Sequence, residues 1–428
     1  MSKPKQKPSR LLGFVTRFRV IFIIVAILFL VHILYSALLR PSPVRIAADL
    51  VKSKPTDVGG PLHAPAPPPS AATGPVVVVP PVASAAGKDA VTPDVPFLTP
   101  PTAGAHIPPV PLDQPERVKG VFVVLVRNKE LHELRWSLRQ LEDRFNHKYN
   151  YPYVFLNDRP FTDEFKNTIS WITKANVSFG LIPQEHWSLP EWIDRYKMLE
   201  GMNDLVKKQI IYGANLSYRH MCRFNSGYFF HHPLLDGYDY YWRVEPDVQF
   251  TCDIDYDPFR YMQERDLKYG FTISLHEIPE TVPTLWETTR KFMKKHPEYV
   301  EQHNTLDWVS ADEGRSYNMC HFWSNFEIGK LDFFRSERYQ KYFDYLDQEG
   351  GFFYERWGDA PVHSLAVAMF LRKEEVHWFQ DIGYVHTVAH NCPSDKEMQK
   401  KCHCNPETSI DRSEYSCTRR WVNLPASP

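Results

Sequence analysis

The sequence predicts an α/β fold with a buried central sheet, set behind an apolar N-terminal run and a proline-rich stretch. Three observations point there. Val118 to Val126 is a short, continuous apolar run, the kind that forms a strand covered on both faces. Glu130 to Phe145 then places Leu131, Leu134, Leu138, Leu141 and Phe145 at helical spacing. Tyr238 to Phe250 is an aromatic and β-branched run that stops at Pro246, with Glu245 and Asp247 at the stop.

The elements follow in chain order. Lys3, Lys5, Lys7, Arg10, Arg17 and Arg19 precede the uncharged apolar run Val20 to Leu39. About 20 such residues can cross a hydrocarbon core of about 30 Å. A cleavable signal peptide is the alternative, but its apolar core is usually about 7–15 residues. The basic flank predicts a cytosolic N-terminus and a lumenal remainder, although Arg40 and Arg45 follow the span. More than half of the 36 prolines then fall between Pro41 and Pro115, mixed with Ala, Val, Ser and Gly. Such a composition cannot build a packed core and reads as an extended stem. About 310 residues remain, enough for one large domain or two small ones. A formal net charge of −1 gives no reason to expect a nucleic-acid partner. Aromatics at 14% suit a sugar-handling cleft, although packing accounts for most aromatic residues in any domain.

In the globular part, Val118–Val126, Glu130–Phe145 and Tyr153–Leu156 make one strand–helix–strand unit, which opens a nucleotide-binding layout. No Gly-x-Gly-x-x-Gly or Walker-type loop is present, so phosphates need another holder, and a metal is the obvious one. Phe161 to Trp171 reads as a helix capped by Thr162, Ile182 to Trp192 as a loop, and Asp194 to Ile211 as a helix. Arg219 and Arg223 are four apart, so on a helix they share a face that could hold a diphosphate or simply meet solvent. Ligands in open α/β folds bind where strands end, and paired acids there suit a hard divalent cation. Lys268 to Leu275 reads as a further strand ending at His276-Glu277. Glu327 lies in an aromatic setting, where an ionised carboxylate needs a partner or a task. Gly351 to Pro361 reads as a loop, Val362 to Leu371 as a helix, and Val376 to His386 as a short strand with His377 and His386 near its ends.

Several strings are long and distinctive. They are Tyr240-Tyr241-Trp242-Arg243-Val244-Glu245-Pro246-Asp247, Cys320-His321-Phe322-Trp323-Ser324-Asn325-Phe326-Glu327-Ile328 and Gly351 through Pro361. Ser217-Tyr218-Arg219-His220-Met221-Cys222-Arg223-Phe224 and Ile382-Gly383-Tyr384-Val385-His386 join them. In this order they resemble the fungal Golgi α-1,2-mannosyltransferases, over about Val118 to Pro393. The resemblance implies a single-lobed nucleotide-sugar transferase fold, of the GT-A-like kind, with a mixed central sheet. It implies transfer of mannose from GDP-mannose, with Mn²⁺ and retention of configuration, to a mannose-terminated N- or O-glycan. It places Glu327 and Asp359 at the catalytic centre, Glu327 as the carboxylate proposed for the nucleophile. Tyr218, Arg219, Arg243, Glu245 and Asp247 fall in the donor site. His386, Glu277, Glu245 and Asp247 are its candidate metal positions, and Glu277 has the least typical neighbours. Front-face transfer, with Glu327 only stabilising charge, is the alternative mechanism, and a catalytically inactive lumenal glycan-binding relative the alternative function.

The organisation read from the sequence is a cytosolic tail at 1–19, a transmembrane signal anchor at 20–39 and a stem at 40–116. A catalytic domain at 117–393 and a cysteine-containing tail at 394–428 follow. The implied location is the Golgi membrane, single-pass type II, with the catalytic domain lumenal. Seven cysteines leave at least one unpaired in an oxidising lumen. Disulfides are favoured over a zinc knuckle at Cys392, Cys402, Cys404 and Cys417, whose spacing suits zinc poorly. Asn176 and Asn215 begin glycosylation sequons.

Overall fold

The computed structural model describes residues 117–426. The basic flank, the apolar run 20–39 and the stem 40–116 lie outside the described residues. Among the described residues, no helix is long and apolar enough to cross a membrane.

Strand β1 (Gly120–Leu125), helix α1 (Leu131–Leu141) and strand β2 (Tyr153–Asn157) form the expected unit, with β1 and β2 parallel. The predicted face of α1 is buried, and Phe145 extends it through one π-helical turn, Glu142–Asn146. Helix α2 (Asp163–Ile172) starts where Thr162 Oγ1 accepts the Phe165 amide at 3.2 Å, and leads to edge strand β3 (Val177–Leu181). Helices α3 (Arg195–Lys207) and α4 (Leu216–Gly227) are capped by the Asp194 and Asn215 side chains. Strands β4 (Tyr240–Arg243), β5 (Val248–Phe250), β6 (Tyr269–Phe271) and β7 (Ser274–His276) follow, then α5 (Leu285–Lys295), β8 (Cys320–Phe322) and β9 (Glu327–Lys330). The chain continues through α6 (Glu337–Glu349), α7 (Asp359–Phe370), β10 (Val376–Trp378), β11 (Tyr384–His386) and β12 (Ala389–Asn391).

The main sheet has the order β10-β6-β9-β4-β1-β2-β3. Only β9 runs against its neighbours, so the sheet is mixed. Phe122 and Val124 of β1 pack on the α1–α2 side, and Val121 and Val123 on the opposite side with α4, α6 and α7. Cover on both faces is why the strands read as unbroken apolar runs. Every residue of α7 except Ala360 is buried, as its nearly polar-free sequence demands. Ser364 Oγ accepts the Phe322 amide at 2.8 Å, fixing α7 against β8.

Three segments differ from the expectation. Lys268–Leu275 is not one strand: β6 pairs in the main sheet, and β7 pairs with β8 in a separate ribbon. Val376–His386 likewise divides, β10 joining the main sheet and β11 a three-stranded sheet with β5 and β12. A continuous apolar run stays buried through a change of partner, so its pattern carries no mark of the switch. Gly383 permits the second switch, because a Cβ there would lie 2.3 Å from Thr251 Oγ1 and 2.5 Å from Cys252 Sγ. Gly351–Pro361 is only partly a loop, since Gly351–Tyr354 forms a helical turn and Asp359 is already the first residue of α7.

Residues 394–426 are built into the domain. Cys252–Cys402, Cys320–Cys417 and Cys392–Cys404 are disulfides, and Cys222 is the free, buried thiol. Trp421 packs edge-on to Phe322, with ring centroids 5.2 Å apart. The sulfurs and His276 that lie close enough to resemble metal sites are thereby committed to disulfides or to their surroundings.

Peptide mapping without reductant should return these three pairs and a single alkylatable thiol at Cys222. Replacing Cys320 and Cys417 together by Ala should cost about 2–5 kcal/mol in urea unfolding, because the bridge closes a loop of 97 residues. Unchanged stability would show that this bridge contributes nothing.

Candidate active site

The site forms where β4 ends. Arg243 is its last residue, and Glu245, Pro246 and Asp247 make the turn into β5. Asp247 is exposed with φ of +62°, a left-handed conformation that Asp tolerates better than most residues. β5 pairs with β11 so that Val248 lies opposite His386, which carries that imidazole to the strand-end acids. His386 Nε2 stands 4.0 Å from Glu245 Oε2, and its ring packs against Trp323 at 5.2 Å.

Arg243 is the hub. Its guanidinium donates to Asp359 Oδ2 at 2.5 Å, to Ser324 Oγ at 3.3 Å and to Glu245 Oε1. Ser324 Oγ in turn donates to the same Asp359 oxygen at 2.7 Å. Burial opposes the Arg243 charge, but Asp359, Glu245 and Glu327 hold its pKa well above the ordinary value. Burial alone would raise the Asp359 pKa, yet Arg243, His363 and the Ser324 hydrogen bond bring it below the usual value. Its place in the first turn of α7 suits an anion as well.

A second cluster abuts the first. The Arg356 guanidinium lies 5.2 Å over the Tyr218 ring and 3.8 Å from Glu277 Oε1. Tyr218 stacks on Tyr212 at 4.5 Å. A Cβ on Gly358, the residue before Asp359, would sit 3.7 Å from Glu277 Oε2, so the two clusters meet at the start of α7. Glu277 Oε1 also accepts the Ile278 amide at 2.7 Å.

Arg219 and Arg223 do share a helix face, but that face is neither solvated nor turned to a ligand. Arg219 is fully buried and donates to the carbonyls of Tyr212, Asn215 and Glu355 at 3.2–3.4 Å. Burial, with Arg356 nearby, pushes its pKa down to about 10. Arg223 makes two 2.7 Å bonds to Asp347. Arg219 therefore ties α4 to the Glu355 turn through Nε and Nη1, while its buried Nη2 has no partner. The cation beside Tyr218 is Arg356, which sequence reasoning passed over although it lies inside a quoted motif.

Glu327 is wholly enclosed. Tyr241 Oη donates to its Oε1 at 2.9 Å, Tyr269 Oη to its Oε2 at 2.9 Å, and His363 Nδ1 lies 3.0 Å from Oε2. His363 was also missed; its signal was its spacing, one helical turn after Asp359. His377 lies on β10, apart from His386, against the rings of Tyr261 and Phe379.

The four candidate metal residues are not gathered into a cage. Among the described residues, no close group of three ligand atoms includes Glu245, Asp247, Glu277 or His386. Glu245 is drawn to Arg243, and Glu277 to its own backbone and Arg356. A hard cation that takes most of its oxygens from a diphosphate and water needs only one or two protein ligands. Glu245 and His386 fit that demand: 4.0 Å between His386 Nε2 and Glu245 Oε2 is too long for a hydrogen bond yet within the span of two ligands on one ion.

The chain has relatives among known proteins. A family profile described as glycolipid 2-alpha-mannosyltransferase matches residues 101–426. The chain is 55% identical over 314 residues to alpha-1,2 mannosyltransferase KTR1 of Saccharomyces cerevisiae, covering 73% of this chain and 80% of that one. It is 52% identical over 306 residues to the O-glycoside alpha-1,2-mannosyltransferase omh1 of Schizosaccharomyces pombe, covering 72% and 78%. Core-mannan synthase A of Aspergillus fumigatus, solved in its Mn/GDP form, superposes with a TM-score of 0.69 at 45% identity, covering 73% of this chain and 86% of that one. The S. cerevisiae mannosyltransferase Ktr4p in complex with GDP gives a TM-score of 0.69 at 44% identity, covering 72% and 82%. The α/β architecture with a mixed central sheet is thus a glycosyltransferase fold.

Asp359 titrates lower in the folded chain than its unfolded value of about 3.9. Its contribution to stability is therefore present above that value and lost as pH falls through the lower folded one. Urea unfolding between pH 5 and pH 2 should show a smaller loss of stability for Asp359→Asn than for the parent. Parallel curves would remove Asp359 from the acid response.

Proposed function

The chain belongs to the glycolipid 2-alpha-mannosyltransferase family, and from that membership we propose that it transfers mannose from GDP-mannose to a terminal mannose of a protein-linked N- or O-glycan. The linkage formed is α-1,2, and the configuration at the anomeric carbon is retained. The observation that carries the reading is the Arg243–Glu245–Asp359 cluster at the end of β4, with His386 brought alongside by β11. Relatives named as α-1,2-mannosyltransferases and neighbours solved with GDP support it.

In this reading Glu245 and His386 hold Mn²⁺, and Asp247 and Glu277 are further candidate ligands. When bound there, the metal would offset diphosphate charge and so make GDP a better leaving group. Arg243 keeps Glu245 in place, and Tyr218 with Arg356 borders the donor. During transfer the bond from the anomeric carbon to the phosphate oxygen breaks, and its electron pair leaves on GDP. The acceptor 2-hydroxyl oxygen forms the new bond and gives its proton to the departing phosphate oxygen. Asp359, held by Arg243 and Ser324, would oppose the positive charge that develops at the sugar. Glu327 has both oxygens engaged and no exposed surface, which favours front-face transfer with Glu327 stabilising charge at a distance over direct attack. The enzyme acts from the lumenal face of the Golgi membrane, held by the apolar run 20–39 in type II orientation.

The full-length protein with GDP-mannose, Mn²⁺ and a panel of mannosides should yield an α-1,2-linked product by NMR. EDTA should abolish transfer and Mn²⁺ restore it. His386→Ala should raise the Mn²⁺ needed for half-activity by about tenfold or more without lowering the melting temperature. Metal-independent transfer, or an inverted first product, would overturn the assignment. Protease added outside intact vesicles should spare everything beyond about Arg40; digestion of the globular part would reverse the topology.

A further inference from the structure

His363 and Asp359 project from one face of α7, a single turn apart. That face meets the side of the main sheet where Arg243 and Glu327 lie opposite each other across β4 and β9. Four buried groups therefore alternate. Arg243 pairs with Asp359 at 2.5 Å, and His363 pairs with Glu327 at 3.0 Å. His363 and Glu327 have no exposed surface.

The hydrogen bonds fix one proton of His363 and pair its other nitrogen with an acid. Its Nε2 is 3.0 Å from the Asn225 carbonyl oxygen on α4. A carbonyl only accepts, so Nε2 carries a hydrogen. Its Nδ1 faces a Glu327 oxygen that already accepts from Tyr269, while the other accepts from Tyr241. An ionised carboxylate has lone pairs for both tyrosine hydroxyls and for a hydrogen on Nδ1, so the geometry suits an ion pair between His363 and Glu327. An imidazole with hydrogens on both nitrogens is the cation.

We propose that His363 is a positioning residue for mannosyl transfer, a buried imidazolium that pairs with Glu327 behind the donor site and fixes the Arg243–Asp359 pair. The proposal rests on the transferase reading above. The groups facing His363 are Glu327 on β9, Asp359 on its own helix, Arg243 and Tyr241 on β4, Tyr269 on β6 and Tyr339 on α6, with the Asn225 carbonyl on α4. Burial opposes its charge, but Glu327 and Asp359 raise its pKa above the ordinary value. The cation is therefore fully present below about pH 6.5 and is lost only as pH rises through the higher folded value.

His363→Gln keeps a donor toward Glu327 and removes the charge. In the full-length protein the expected result is a loss of kcat of about 30-fold or more, with KM for GDP-mannose within about threefold. Affinity for GDP with Mn²⁺ should likewise stay within about threefold of the parent. A purely structural role would move binding and turnover together, and that result, or turnover near the parent's, would overturn the proposal. Should the variant fail to fold, ¹⁵N-histidine NMR of the parent decides: both His363 nitrogens protonated at pH 7 support it, and a neutral tautomer sinks it. Absence of any mannosyl transfer by the parent would instead refute the transferase reading, leaving the NMR result to stand alone.

Discussion

Arg243 cannot be buried at the end of β4 without carboxylates around it, and the site is built to meet that demand. A guanidinium sealed in protein loses its hydration, and only well-placed anions compensate. Asp359 and Glu245 supply them from opposite sides, and Ser324 adds a hydroxyl. Removing one member of such a pair costs about 3–5 kcal/mol, because the other is left buried and unpaired. The docking of α7, the turn after β4 and the loop before β9 are therefore coupled through one side chain. That coupling places Asp359, Glu245 and, through β5 and β11, His386 around one strand end.

The same sheet face divides its tasks by depth. At the strand end lie partly exposed groups, Glu245 held by Arg243, Glu277 held by the Ile278 amide and Arg356, and His386 beside Glu245. One layer below are Glu327, His363, Tyr241 and Tyr269, saturated with hydrogen bonds and dry. The 4.0 Å gap between His386 Nε2 and Glu245 belongs to the upper layer.

Much of this was legible in the sequence. The β1–α1–β2 unit, the Thr162 cap and the break of β4 before Pro246 are local patterns, and local patterns survive folding. The strand-end acids were found because they sit where an apolar run stops. What escaped depended on distant partners. Nothing near Arg219 announces that three carbonyls will absorb its guanidinium. Nothing in Lys268–Leu275 or Val376–His386 marks where the chain leaves one sheet for another. The segment after Pro393 looked separable because its anchors, Cys252 and Cys320, lie far back in the chain.

Those anchors impose an order on biosynthesis. Cys252 waits for a partner 150 residues downstream, and Cys320 for one 97 residues downstream. At about 5–20 residues per second, the first thiol stays unpaired for about 8–30 s after it is made. During that interval Cys222, Cys252, Cys320 and, near its end, Cys392 are the thiols synthesised, and any bridge among them is non-native. Burial of Cys222 within α4 withdraws the one thiol that has no native partner. A nascent chain that packs α4 early thus avoids its most damaging mispairing. A chain truncated before Cys402 never closes either long bridge, however complete its cleft.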